Sequence, residues 1–132
     1  MILTYTFRTC PFKDKLNEPF IFGKLKDDLK TFFEIIKKQK PELVIGIAKS
    51  NKSVIEKYAI NKFNNGVINK KGKESYELHT NNLLPISNKP TNSFCNWTAY
   101  KISELIEKEK LNTKLIFTHI KEKDLIEIKE IQ

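Results

Sequence analysis

The sequence predicts a single α/β domain over residues 1–132 with a mainly parallel central sheet. Two features carry this expectation. An amphipathic helical pattern is followed by an apolar strand pattern twice along the chain, and such repeats require crossovers that place strands side by side in parallel. The first of these strands, LVIGIA (Leu43 to Ala48), shows no polar alternation, as in strands covered on both faces. A chain of 132 residues that is 39% hydrophobic and 30% charged can bury one core without disulfides and is not intrinsically disordered.

The elements follow in order. ILTYTF, ending at Phe7, is a short β-branched and aromatic run and predicts a first strand. The stretch RTCPFKDKLNEPF holds two prolines and reads as turns. Lys24 to Lys38 is the clearest helix, because Leu25, Leu29, Phe32, Phe33 and Ile36 share one face. Asp27 and Asp28 near its start and Lys37 and Lys38 near its end suit the helix dipole, and Pro41 stops it. After the LVIGIA strand, Ser53 to Ile60 alternates and predicts one further strand. Asn61 to Asn82 is polar, contains Gly66 and Gly72, and predicts a long loop. A proline-containing segment, LLPISNKPTNSF, leads to Cys95. Asn96 to Lys110 predicts a second helix with Ala99, Ile102, Leu105 and Ile106 inward. KLIFTHI (Lys114 to Ile120) predicts the last strand, and the closing DLIEIKEIQ a short helix.

Composition then removes several classes of function. The net charge of +8 raises nucleic acid as a partner. However, 23 of the 24 basic residues are Lys, and Lys, Ile and Asn together make 52 of the 132 residues. Base-edge readers lean on the planar fork of Arg, and here the Lys are scattered among acidic residues. No nucleic-acid partner is expected, and a basic nucleic-acid-binding module ranks last among the alternatives. No apolar run reaches the ~18–20 residues of a membrane span, so no membrane partner is expected either. The start, MILTYTFRTC, lacks a basic segment leading into an apolar one, which predicts a cytoplasmic protein with reduced thiols. Two Cys and two His occur without CxxC or HxxxH spacing, and there is no Gly-rich phosphate loop and no GxSxG. Neither a metal nor a cofactor is expected.

Three polar residues stand out by position. Cys95 lies where a loop enters a helix, and the positive end of a helix dipole suits negative charge on sulfur. His119 ends an apolar strand, at the sheet edge where α/β proteins gather catalytic groups. Glu56 is set in an otherwise apolar run, where an ionised carboxylate is costly unless paired. Each also has a plainer reading: a buried small apolar thiol, a satisfied strand-end histidine, and a carboxylate turned outward beside Lys57.

Several segments, taken in order, resemble one family. IEKYAIN (Ile55 to Asn61), SNKPTNSFCNWTAYKI (Ser87 to Ile102) and LIFTHI resemble the Glu, Cys and His segments of the pyroglutamyl peptidase I (pyrrolidone-carboxylate peptidase) family of cysteine peptidases. CPFKDKLNEP and FIFGKLKDDLKTFFEIIKKQKPELVIGIA resemble its N-terminal loop and its first helix and strand. The resemblance implies a three-layer α/β/α sandwich, trimmed relative to the family. It implies Cys95 as nucleophile, His119 as general base and acid, and Glu56 as the group that orients the imidazole. It also implies Phe12, with Phe7 beside it and Phe94 next to the nucleophile, as aromatic walls for a 5-oxoproline ring. The expected activity is removal of N-terminal pyroglutamate from peptides through a thioester, by a homo-oligomer. Where bacterial members carry an Arg near the site this chain has Gly66, and Lys13-Asp14 replace the family's Gly-Gly. A relative that kept the fold but acts as a binding or assembly protein is the alternative.

Overall fold

A computed structural model describes residues 1–131. The chain forms strands β1 (Ile2–Phe7), β2 (Phe20–Phe22), β3 (Leu43–Lys49), β4 (Val54–Glu56), β5 (Tyr58–Ile60), β6 (Ser75–Glu77), β7 (Ile86–Ser87) and β8 (Lys114–Ile120). Its helices are α1 (Leu25–Gln39), α2 (Phe94–Lys108) and α3 (Leu125–Ile131). Six strands make one sheet in the order β2-β1-β3-β8-β4-β7, and β5 with β6 makes a separate two-stranded ribbon. Every pairing in the main sheet is parallel except β4 with β8.

The two faces of the sheet follow from the alternation of the central strands. Tyr5, Phe7, Val44, Ala48, Leu115 and Phe117 point to one side and are covered by α1 and α2. Ile45, Ile47 and Ile120 point to the other, where Cys10, Phe12, Leu16 and the α3 residues Leu125 and Ile128 cover them. This is the expected α/β/α arrangement, with a second outer layer reduced to one loop and one short helix. On that thinly covered side Thr6 and Thr118 are buried, and their hydroxyls donate to the carbonyls of Ile47 and Gly46 at 2.7 and 3.1 Å.

Helix α1 forms as its pattern requires. Asp28 accepts from the N–H groups of Gly23 and Lys24 at 2.7 and 2.8 Å, satisfying donors at the helix entrance. At the exit Lys40 adopts a left-handed backbone, its N–H bonds to Ile36 O, and Pro41 follows.

Three departures from the sequence reading concern pairings that only distant partners decide. The predicted strand Ser53 to Ile60 is broken at Lys57. The Lys57 N–H bonds to Ser87 O and its carbonyl accepts from Leu78 N–H, so the chain leaves the main sheet and continues in the ribbon. The predicted loop Asn61 to Asn82 contains β6, which pairs with β5. β2 starts at the last residue of the stretch read as turns and β7 lies in the proline-containing segment before Cys95, neither expected as a strand, and at three and two residues they are too short to show a period. The closing helix is present, and its predicted last residue, Gln132, lies outside the described residues.

Gly46 in β3 allows the aromatic core to close. A Cβ there would lie 2.5 Å from the Phe117 ring and 2.6 Å from that of Tyr5, both fully packed. Gly46→Ala is expected to destabilise the protein by about 1–3 kcal/mol through overpacking, measured as a lower urea midpoint with unchanged slope.

Candidate active site

Cys95 is the second residue of α2, one place into the helix from Phe94. Ser93 caps the helix, and its Oγ accepts from the Cys95 N–H at 3.3 Å. Two tethers fix this first turn. Thr98 Oγ1 donates to the carbonyl of Cys95 at 2.8 Å, and the hydroxyl of Tyr5, in the centre of the sheet, donates in turn to Thr98 at 3.1 Å. Burial and the proximity of Cys95 hold the Tyr5 phenol well above its ordinary pKa, with the Thr98 bond offsetting only part of that. Asn96 pins the helix to the ribbon, accepting from Ile60 N–H and donating to the carbonyls of Ile60 and Lys62 at 2.8–2.9 Å.

His119 lies near the end of β8, opposite Ala48 of β3 and Val54 of β4. It faces the α2 side with Leu115 and Phe117, because residues two apart on a strand share a face. Its Nδ1 donates to Glu56 Oε2 at 3.4 Å. The second oxygen of Glu56, Oε1, is buried and has no hydrogen-bond partner among the described residues. Burial works against a charged His119 ring. Hydrogen bonding with Cys95 and Glu56, and then the charges of both, overcome that and raise its pKa to about 9. The imidazole therefore carries its proton through the neutral range.

Glu56, Cys95 and His119 line one cavity of about 10 Å³, room for one water at most. Cys95 is also shared with an open cleft of about 210 Å³ on its other side. Phe7 and Phe94 form the aromatic part of that cleft, with ring centroids 4.7 Å apart and planes at 71°. Cys10, Ala48 and Lys49 complete its lining with Thr9.

Of the six residues singled out from sequence, five converge here: Glu56, Cys95, His119, Phe7 and Phe94. Phe12 does not. It is 1% exposed and packs with Ile45, Ile47 and Leu125 on the opposite face of the sheet. The turn after Phe7, closed by Cys10 N–H to Phe7 O at 2.8 Å, carries the chain round the rim, so that Cys10 borders the cleft while Phe12 lies beyond it. The positioning residues Tyr5, Asn96 and Thr98 escaped the sequence reading. Tyr5 and Thr98 are 93 residues apart, and no periodicity links them.

A depression of about 920 Å³ lies at the other end of β8 beside His79, Glu107 and Lys114. It is a broad groove with no cysteine in its lining. Among the described residues no three His, Cys, Asp or Glu stand close enough to hold a metal ion, and no helix is long and apolar enough to cross a membrane.

A mixed, mainly parallel sheet covered by helices, with Cys95, His119 and Glu56 near one rim, defines an α/β fold class. No protein-family model matches the sequence, and no curated protein matches it. Solved structures do match the fold. The pyrrolidone carboxyl peptidase from Thermococcus litoralis has a TM-score of 0.72 at 17% identity, over 91% of this chain and 76% of that one. Pyroglutamyl peptidase I from Bacillus amyloliquefaciens has a TM-score of 0.68 at 18% identity, over 91% of this chain and 81% of that one. A mutant pyrrolidone carboxyl peptidase from Pyrococcus furiosus has a TM-score of 0.73 at 16% identity, over 99% of this chain and 86% of that one. The fold is that of the pyroglutamyl peptidases.

Proposed function

We propose that this protein is a divergent pyroglutamyl peptidase, a cysteine hydrolase that removes N-terminal pyroglutamate from peptides. One observation carries the reading. Cys95 stands between two spaces, one shared with His119 and Glu56 and the other with Phe7 and Phe94. The first is too small for a substrate and suits proton transfer. The second is below the ~300 Å³ of ordinary small-molecule pockets, and it matches a small flat acyl group such as 5-oxoproline better than a long side chain.

The chemistry follows from the arrangement. The Cys95 sulfur, its proton held by His119, attacks as the thiolate on the carbonyl carbon of the pyroglutamyl residue, and the carbonyl oxygen becomes an oxyanion facing the backbone N–H groups at the start of α2. His119, protonated at neutral pH, gives its Nε2 proton to the departing amine as the C–N bond breaks, leaving a thioester. Neutral His119 then takes a proton from water, which attacks the thioester and frees pyroglutamate and Cys95. Glu56 holds Nδ1–H throughout, fixing the tautomer and stabilising the imidazolium. A cytoplasmic, homo-oligomeric enzyme belongs to the same reading, and two free, buried cysteines suit a reducing compartment.

The test is release of a fluorophore from its pyroglutamyl amide compared with its prolyl amide, which lacks the ring carbonyl. Turnover confined to the pyroglutamyl compound is expected. Well-folded protein that turns over neither would leave a fold retained for binding or assembly.

A further inference from the structure

We propose that residues 88–91 form a strap over the cavity between Cys95 and His119, which gates it and selects by size the residue after the scissile bond. This rests on the peptidase reading above. The cavity measures about 10 Å³, and an acyl group seated in the Phe7–Phe94 cleft leaves the departing amine on the cavity's side of the sulfur. The amine must lie there to receive the His119 proton, because Nδ1 is engaged by Glu56 at 3.4 Å and the remaining ring nitrogen hydrogen-bonds with Cys95. A nitrogen carrying an α-carbon and a side chain needs several times the room of one water. The closed cavity therefore passes a proton but no peptide. One of its walls has to move.

The lining identifies that wall. Apart from His119, the lining residues that reach solvent are Tyr58, Pro90 and Thr91, and Thr91 is the exposed one. Tyr58 is fixed in the ladder between β5 and β6. Pro90 and Thr91 belong to a segment outside any helix or strand. Among the described residues the backbone of 88–91 makes a single hydrogen bond, Lys89 N–H to Ser87 Oγ at 3.3 Å. Both flanks are anchored. Ser87 is paired with Glu56 in the main sheet, and its carbonyl accepts from Lys57 N–H at 2.9 Å. Asn64 N–H donates to Asn92 O at 2.8 Å, and Asn92 Nδ2 donates to Asn64 O at 3.0 Å. A segment with so few backbone bonds opens at low cost, and its anchors confine the motion to the residues between them. Opening gives the leaving residue access to His119, and closing over it excludes water from the proton transfer. A short strap pinned at both ends has limited travel, so glycine or alanine is favoured over an aromatic residue at that place.

The probes are pyroglutamyl-glycinamide and pyroglutamyl-tryptophanamide, with released pyroglutamate measured. Wild type is expected to favour the glycinamide by about tenfold or more in kcat/KM. Two variants act on the strap differently. The double variant Pro90→Gly, Thr91→Gly removes the side chains of the wall. Asn92→Ala frees one anchor and replaces no residue of the cavity lining. Asn92→Ala should narrow the ratio by about two- to tenfold, as for one lost hydrogen bond, and the double variant by at least as much. The ratio is the readout, and Asn92→Ala decides alone if the double variant fails to fold. Nitrogen-15 relaxation dispersion at the Lys89 and Thr91 amides of wild type reads the motion without substrate, and exchange on the μs–ms scale is expected there. Where the glycinamide is hydrolysed, equal turnover of both probes, a ratio unchanged in either folded variant, or a strap without exchange overturns the proposal and leaves the peptidase reading intact. Exchange at the strap with turnover of neither probe sinks the peptidase reading and keeps the gate over Cys95 and His119. Neither turnover nor exchange overturns both.

Discussion

Cys95→Ala is expected to abolish hydrolysis of pyroglutamyl amides, lowering kcat by ~10⁴-fold or more, while the protein stays folded. The size of the effect follows from the chemistry. Without sulfur there is no thioester, and His119 and the N–H groups of the first α2 turn can only assist direct attack by water. The change should be structurally mild. Cys95 is small and 5% exposed, and the contacts that seat this turn are made by other groups: the Cys95 carbonyl to Thr98, Thr98 to Tyr5, and Asn96 to the ribbon. Loss of one buried sulfur is worth about 1–2 kcal/mol at most. Steady-state kinetics with a pyroglutamyl fluorophore, beside a urea melt, makes the comparison. Activity that survives in the variant would mean that another group is the nucleophile, and Cys10 on the cleft wall would be the first to test. Loss of activity together with loss of folding would be answered by Cys95→Ser, which keeps size and polarity but is a far poorer nucleophile in this setting.

What could be read from the sequence divides along a physical line. Elements whose signal is local were legible. The 3.6-residue period of α1 and α2 and the unbroken apolar runs of β3 and β8 depend on burial of a whole face, and each sits within one or two residues of its expected place. The break at Lys57 was not legible, because it depends on residues far along the chain, Ser87 accepting from its N–H and Leu78 donating to its carbonyl. The same holds for the site. Cys95, His119 and Glu56 betrayed themselves as a thiol at a helix entrance, an imidazole at a strand end and a carboxylate in an apolar run. Phe12 misled because an aromatic residue in a loop has two equivalent burial options, and the turn at Arg8-Thr9 selects the far face. Tyr5 and Thr98 look like ordinary strand and helix residues, and only the packing of β1 under α2 gives their hydroxyls a role.

The stability of the protein is expected to fall as pH rises from about 6.5 to about 9, and Glu56→Gln is expected to shrink that fall. His119 has its pKa raised to about 9 in the folded protein, against ~6.5 in an unfolded chain. A group whose pKa is raised on folding binds its proton more tightly in the native state. The stabilisation is then fully present below pH ~6.5 and disappears as pH climbs through the folded value. For a mostly buried ring, with 15% side-chain exposure, this amounts to on the order of 3 kcal/mol at each ~1.4 kcal/mol per unit. The sources of the shift are named groups, so the prediction is specific. Glu56→Gln keeps the shape near Nδ1 but removes one of the two groups, beside Cys95, that favour the imidazolium, so the transition should move part of the way down from about 9 and the pH-dependent loss should shrink. His119→Gln removes the titrating group and supplies the baseline for other ionisations in the range. Urea midpoints at pH 6.5 and 9.5 for the three proteins decide it. An identical pH response in wild type and His119→Gln would show that His119 does not carry the proton. The same charge matters to catalysis, because an imidazolium that Glu56 no longer stabilises gives up its proton before the leaving amine needs it. Glu56→Gln should therefore also lose turnover, by about 10²–10⁴-fold, with the high-pH limb of its rate profile moved toward neutrality.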